Sequence, residues 1–440
     1  LGCGKNEEPD TGSVSIISLT ANGIPLVDGT INVPTEINIE IAFSEKIIPN
    51  RLESNLSITN QGNPVSVLNF SYTNSTSKVN ITAQLDFNTT YQLGLSKTVL
   101  GENGSTLANT ITRTFTTVDE GIITSKEPCL LATNDCLEII DLTAEGKTGG
   151  FSLFTSYPIE PDNARWESIT NAVITIHGLN RDGDAYFESM ANTLKSLNKQ
   201  GNTILISPVF KSQNDANGND LYWTNAGWRK GDVSEGGISE SSFWVLEQIL
   251  EKLSNKEIFP ALKTIFFTGH SSGALMTQLL ATTITLEKYI GKFDVQYVVA
   301  NSQYFYYPQD VRFNSTLNTF QMVNGCPGYN TWPYGYNQFP SHLSQISKSE
   351  AESNIVGNKV LYLLGTNDVV TTGTLNTDDC EAVLLGENRF KRGENMFGLL
   401  QTFYNGQHHS EKVLVNGVGH NFAAMFQSTE FKSWLELKLN

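Results

Sequence analysis

The stretch TIFFTGHSSGAL (264–275) limits the possible folds of this chain more than any other. Five residues of strand character, Thr264 to Thr268, run without a linker into Gly269-His270-Ser271-Ser272-Gly273, and the chain continues at once into the helix-forming SSGALMTQLLATTITL (271–286). A strand that turns straight into a helix tolerates only small residues where the two cross. Gly269 and Gly273 permit the tight turn and the close helix–strand packing that larger side chains would block. With 37 Ser and 36 Gly among 440 residues, chance alone supplies roughly 0.25 Gly-x-Ser-x-Gly pentapeptides, so the setting carries the meaning. Ser271 at the apex is expected to hold its hydroxyl out of the sheet, with backbone N–H groups aimed at the same point.

The surroundings agree. From residue 129 onward, short apolar strands alternate with amphipathic helices, the signal of a parallel sheet covered on both faces. The strands are AVITI (172–176), TILIS (203–207), TIFFT (264–268), VQYVVA (295–300), VLYLL (360–364) and KVLV (412–415). Between them SESSFWVLEQILEKL (239–253) places Phe243, Leu246, Ile249, Leu250 and Leu253 on one stripe, which is helical periodicity.

A serine hydroxyl is a weak nucleophile near neutral pH. It needs a base to take its proton, and the base needs a partner to fix its tautomer. Asp368 lies four residues past Leu364, and His420 five residues past Val415, each just beyond a strand end. Open α/β sheets place their sites at such C-terminal ends. The chain holds six histidines. His177 and His270 lie in other motifs, and His342 and the pair His408-His409 lie in polar stretches away from strand ends, which leaves His420 as the base. Asp378 and Asp379 are alternative carboxylates but read as loop residues beside Cys380.

Together HGLN, GHSSG, GTND and GVGH resemble the α/β-hydrolase family over residues 129–440. The resemblance implies a catalytic triad of Ser271, His420 and Asp368 and ester hydrolysis through an acyl-enzyme. His177-Gly178 resembles the family's oxyanion motif. It implies backbone donors at Leu179 and Ser272, with His177, Gly178, Gly269 and Gly273 as structural support. One such donor is worth ~3 kcal/mol in the transition state. No cofactor and no metal is expected, since no Cys/His pair has ligand spacing.

Residues 13–117 read as all-β. INIEIAF (37–43) puts Ile37, Ile39, Ile41 and Phe43 on one face, YQLGL (91–95) and TITRTF (110–115) alternate likewise, and no helical period is visible. The stretch from VPTEINIEIAFSEKI to TRTFTT resembles the bacterial Ig-like domains of surface proteins. The expected fold class is therefore multidomain: an N-terminal all-β Ig-like sandwich (13–117), a linker (118–128) and a C-terminal α/β-hydrolase fold (129–440). Residues 1–12 read as a tether. Leu1-Gly2-Cys3 resembles the end of a bacterial lipoprotein signal, which implies lipid attachment at Cys3, and Lys5-Asn6-Glu7-Glu8 resembles a surface-export signal. The expected location is the bacterial cell envelope, at the outer membrane or cell surface, with membrane contact only through that lipid.

Cysteine usage fits export. Apart from Cys3, four remain, Cys129, Cys136, Cys326 and Cys380. Four cysteines allow three pairings; proximity favours Cys129 with Cys136, leaving Cys326 with Cys380. The net charge of −16 excludes nucleic acid as a partner, because phosphate contacts need clustered Lys and Arg. The partner is a small or polymeric ester, with acylated polysaccharides and polyesters the natural candidates. Two aromatic-rich stretches follow strand ends, 217–232 and 301–340, and offer Trp223, Trp228, Tyr304 and Trp332 as substrate-binding rings, with Tyr306 and Tyr334 beside them. Loop packing is the competing use for these rings. A serine peptidase sharing the triad and a surface adhesion protein with a vestigial hydrolase domain are the alternative functions.

Overall fold

The computed structural model describes residues 12–73, 75–119, 126–161, 163–284, 286–343 and 346–439. Cys3 and the tether fall outside the described residues, as do 120–125 of the linker. The chain divides into two compact units, Leu1–Ser125 with Asp162–Glu167, and Lys126–Pro161 with Ser168–Asn440.

The first unit is a β-sandwich. One five-stranded sheet runs in the order Thr30–Val33, Ile111–Thr117, Thr90–Leu95, Leu56–Asn60, Asn63–Pro64, and the other Ile24–Pro25, Ile16–Ala21, Glu36–Phe43, Lys78–Gln84, Asn69–Thr73. Strand alternation decides the core. Ile37, Ile39, Ile41 and Phe43 are buried together with Leu93, Leu95 and Phe115 of the opposite sheet, as the two-residue period requires. A helix at Pro49–Asn55, with Leu52 buried, departs from the all-β expectation. Its seven residues are too few to show a period in the sequence, and its proline sits in the first turn, where no N–H is needed.

The second unit is built on one eight-stranded sheet. Its strands are β1 (Leu137–Ala144), β2 (Lys147–Thr155), β3 (Asn171–Ile176), β4 (Thr203–Pro208), β5 (Thr264–His270), β6 (Asp294–Ala300), β7 (Lys359–Gly365) and β8 (Glu411–Val415). The order across the sheet is β1-β2-β4-β3-β5-β6-β7-β8. β2 pairs antiparallel with both neighbours, and the pairs from β4 to β8 are parallel. The main helices are α1 (Gly183–Ser196), α2 (Ser242–Leu253), α3 (Ser272–Thr283), α4 (Lys348–Gly357), α5 (Arg389–Phe403) and α6 (Thr429–Lys438). Val173, Leu205, Phe266, Val298 and Leu361, one from each central strand, form a single cluster with apolar residues of α1 and α6, while α3 packs on β5 and β6. This is the expected mostly parallel sheet flanked by helices, with β1 and β2 at one edge beyond the six strands expected from the sequence. Both disulfides, Cys129–Cys136 and Cys326–Cys380, are formed.

Candidate active site

β5 ends in a turn whose apex is Ser271, at φ 58 and ψ −114. A side chain in this region costs about 1–3 kcal/mol, and the surroundings enforce it. A Cβ at Gly269 would run into the carbonyl of Gly273, and one at Gly273 into the carbonyls of Ile176 and His177. The amide of Ser271 donates to the Ala300 carbonyl at 3.0 Å. The elbow is thus wedged between the ends of β3 and β6, and only glycine fits on either side.

The ends of β7 and β8 bring the other two groups in. The Thr366 amide bonds Val415 O at 3.0 Å, and the Asn367 amide bonds Val418 O at 2.9 Å. Asn301, just past β6 at φ 47, accepts from the Gly365 amide (2.8 Å) and donates to Gly419 O (3.0 Å). One side chain therefore ties the end of β6 to the turns that carry Asp368 and His420. Ser271 Oγ lies 3.0 Å from His420 Nε2, and His420 Nδ1 lies 2.7 Å from Asp368 Oδ2. The network assigns the tautomer: Nδ1–H donates to the carboxylate, and Nε2 is free to accept from the serine. Asp368 is fully buried, with Arg389 Nη1 at 3.8 Å from its second oxygen. Asp379, by contrast, accepts from Asn376 Nδ2 in its own loop at 2.7 Å.

The residues expected to hold a developing oxyanion border the same cleft as the serine. Gly273 presses on the His177 carbonyl, so the loop after β3 lies against the elbow, and Leu179 and Ser272 border the same cleft as Ser271. Ser272 opens α3, where the first amides of a helix have no internal acceptor and carry its positive dipole end. His177 is completely buried; its Nδ1 bonds Gly178 O (2.8 Å) and its Nε2 accepts the Phe210 amide (3.1 Å). Burial pushes its pKa down to about 4, so it is a neutral brace. His270 is held neutral too: burial, His420 and Arg389 all push its pKa down. Its ring lies tilted against the His420 ring, 4.5 Å between centres, and it bonds the Tyr186 hydroxyl at 3.1 Å.

The cleft holds about 340 Å3. It is walled by the stacked pair Tyr186 and Phe422, at 4.0 Å between ring centres, and by Asp182, Gln303, Thr374 and Asn421. A larger hollow of about 550 Å3 at the opposite strand ends, lined by Lys263, Phe293, Asp294 and Lys359, contains no nucleophile–base pair. Chemistry therefore selects the site, not size.

The four expected substrate rings do not line this cleft. Trp223 and Trp228 are fully buried, packed around Phe210, with Trp228 also 4.6 Å from His177. Trp332 packs on Phe339 at 5.0 Å and donates to Lys230 O. Tyr304 lies under the Arg229 guanidinium, and its hydroxyl accepts from Asn376. Irregular aromatic-rich insertions must bury their own surface, and these rings do so. The walls Tyr186 and Phe422 were open to sequence reasoning, since one is on the helix after the His-Gly motif and the other is two residues past His420.

Residues 17–117 match a family model described as bacterial Ig-like domain. No curated protein matches the chain. Among solved structures, the chain is similar to LpqC, a poly(3-hydroxybutyrate) depolymerase from Bordetella parapertussis, at 14% identity and a TM-score of 0.48, over 69% of this chain and 91% of that one. It is also similar to poly(aspartic acid) hydrolase-1 from Sphingomonas sp. KT-1, at 16% identity and a TM-score of 0.48, over 69% and 98%. A third similarity is to siderophore hydrolase EstA from Aspergillus nidulans, at 12% identity and a TM-score of 0.39, over 69% and 95%. At these scores the likeness says nothing about substrate, and the chemistry rests on the site's own geometry.

Proposed function

We propose that this protein is a serine hydrolase that cleaves carboxylic esters through an acyl-enzyme on Ser271. The observation that carries this reading is the line of hydrogen bonds from Ser271 Oγ to His420 Nε2 (3.0 Å) and from His420 Nδ1 to Asp368 Oδ2 (2.7 Å). Ser271 Oγ attacks the ester carbonyl as its proton passes to His420 Nε2. The oxyanion accepts from the Leu179 and Ser272 amides, and the imidazolium is stabilised by Asp368. Collapse expels the alcohol, which leaves with the proton from Nε2, and the acyl group stays on Ser271. Water, deprotonated by the same nitrogen, then releases the acid.

The natural setting we propose is the exported cell envelope, with a lipid on Cys3 and an Ig-like spacer, acting on acylated polysaccharide or polyester. The two disulfides support it, since such bonds persist in oxidising compartments, as does the Ig-like match at residues 17–117. The test compares wild type with Ser271→Ala on p-nitrophenyl acetate and longer acyl esters. Wild type should turn over and the variant should not. Equal release by both would eliminate the reading, and cleavage of peptide anilides in place of esters would favour a peptidase.

A further inference from the structure

Arg229 is a cation that the triad does not use. It sits in a short turn, Trp228–Lys230, in the segment between β4 and α2, and that turn is pinned from several sides. The Trp228 ring is fully buried against His177. Ser242 Oγ donates to Trp228 O at 2.6 Å, and Trp332 Nε1 donates to Lys230 O at 2.9 Å. Gly231 follows at φ 87, where a Cβ would press on Phe243 and Leu343. The guanidinium is therefore presented from a rigid platform.

Its neighbours are neutral. Arg229 Nη1 donates to Ser272 Oγ at 2.7 Å, and the guanidinium carbon lies 5.2 Å from the centre of the Tyr304 ring. Its Nε is buried without an acceptor. Among the described residues no carboxylate is paired with it, although the chain carries 45 acidic residues against 29 Lys and Arg. Holding a half-buried cation without a counter-ion is costly, and burial opposes its charge. The position matters as much as the charge: Arg229 stands one contact behind the cleft wall, bonded to Ser272, which borders the cleft and directly follows the nucleophile, and Gln303, next to Tyr304, lines the same cleft. A guanidinium presents five N–H donors in a fork that matches a carboxylate.

We propose that Arg229 is a specificity residue that recognises a carboxylate, and that the preferred ester carries an anionic carboxylate close to its scissile bond. This rests on the ester-hydrolase reading above. The carboxylate can belong to the acyl side, as in a dicarboxylic hemiester, or to the alcohol side, as in an ester of a hydroxy acid. Two matched pairs separate these sources: p-nitrophenyl hemiglutarate against p-nitrophenyl acetate, and 3-acetoxybutyrate against its neutral amide. Wild type should favour the anionic member of at least one pair in kcat/KM. Arg229→Gln should lower that preference about tenfold, the value of one charge-assisted hydrogen bond, mainly through KM. Arg229→Lys, which keeps the charge, should restore part of it, and 0.5 M salt should narrow it in wild type. A wild-type preference for the neutral member of both pairs would overturn the proposal, as would an unchanged ratio in folded Arg229→Gln. Should Arg229→Gln not fold, an undiminished preference in Arg229→Lys together with no narrowing in salt would overturn it equally. Should wild type cleave none of the four esters, the ester-hydrolase reading itself has failed and this inference falls with it.

Discussion

Asp368→Asn offers a sharp test of how the three side chains work together. The carboxylate is fully buried, 2.7 Å from His420 Nδ1 and 3.8 Å from Arg389 Nη1. An amide of the same shape must turn its oxygen toward one of these groups and its NH2 toward the other. Arg389 can only donate, so the oxygen goes to Arg389 and the NH2 faces His420. Nδ1 must then accept, which puts the imidazole proton on Nε2, the atom that has to take the proton from Ser271. Substrate binding survives, but general-base catalysis does not. The expected loss in kcat/KM is roughly 10⁴-fold, about 5 kcal/mol of transition-state stabilisation. The assay is steady-state hydrolysis of p-nitrophenyl acetate on protein whose circular dichroism matches wild type, with Asp378→Asn and Asp379→Asn beside it. A folded Asp368→Asn that keeps a tenth of wild-type activity would refute the reasoning, as would a comparable loss in Asp379→Asn.

Acid stability should depend on His177. Its pKa falls from 6.5 unfolded to about 4 folded, so the unfolded chain binds the extra proton between those values. The associated stability is complete above pH 6.5 and is lost as pH falls toward 4, a total of about 3 kcal/mol. His270 acts in the same direction. Urea unfolding from pH 7 to 4 should therefore show a shallower decline for His177→Gln than for wild type; equal declines would contradict its neutral burial. The Cys326–Cys380 bridge spans a sequence separation of 54, which corresponds to about 4 kcal/mol by loop entropy. The Cys326→Ser/Cys380→Ser pair should melt lower than wild type, and reductant should lower the wild-type melting point by more than that of the pair, which keeps only Cys129–Cys136.

The sequence reveals the site better than its walls. Ser271, Asp368 and His420 each follow an apolar strand, and strand ends are where periodicity breaks most visibly. The elbow glycines are readable because close backbone approach leaves no other residue. β1 and β2 are not readable. β2 carries Gly149 and Gly150, which weaken strand propensity, and a Cβ at Gly149 would meet Leu221 and the Asn219 carbonyl. Tertiary contact with the segment after β4 demands glycine there and erases the strand signal. The aromatic insertions mislead for the opposite reason: Trp223 and Trp228 look like ligand rings but fill the space under their own loop. Asn301, which joins three strand ends through two hydrogen bonds, is a single polar residue whose role depends on partners 64 and 118 positions away.

The central claim is that Ser271 is the one hydroxyl activated to attack an electrophile. Incubation with a fluorophosphonate, followed by intact-mass and peptide mapping, measures this directly. One adduct per chain is expected, on the peptide bearing Ser271, formed far more slowly in His420→Ala. Stoichiometric labelling of a different serine, or none in folded protein, would contradict the claim.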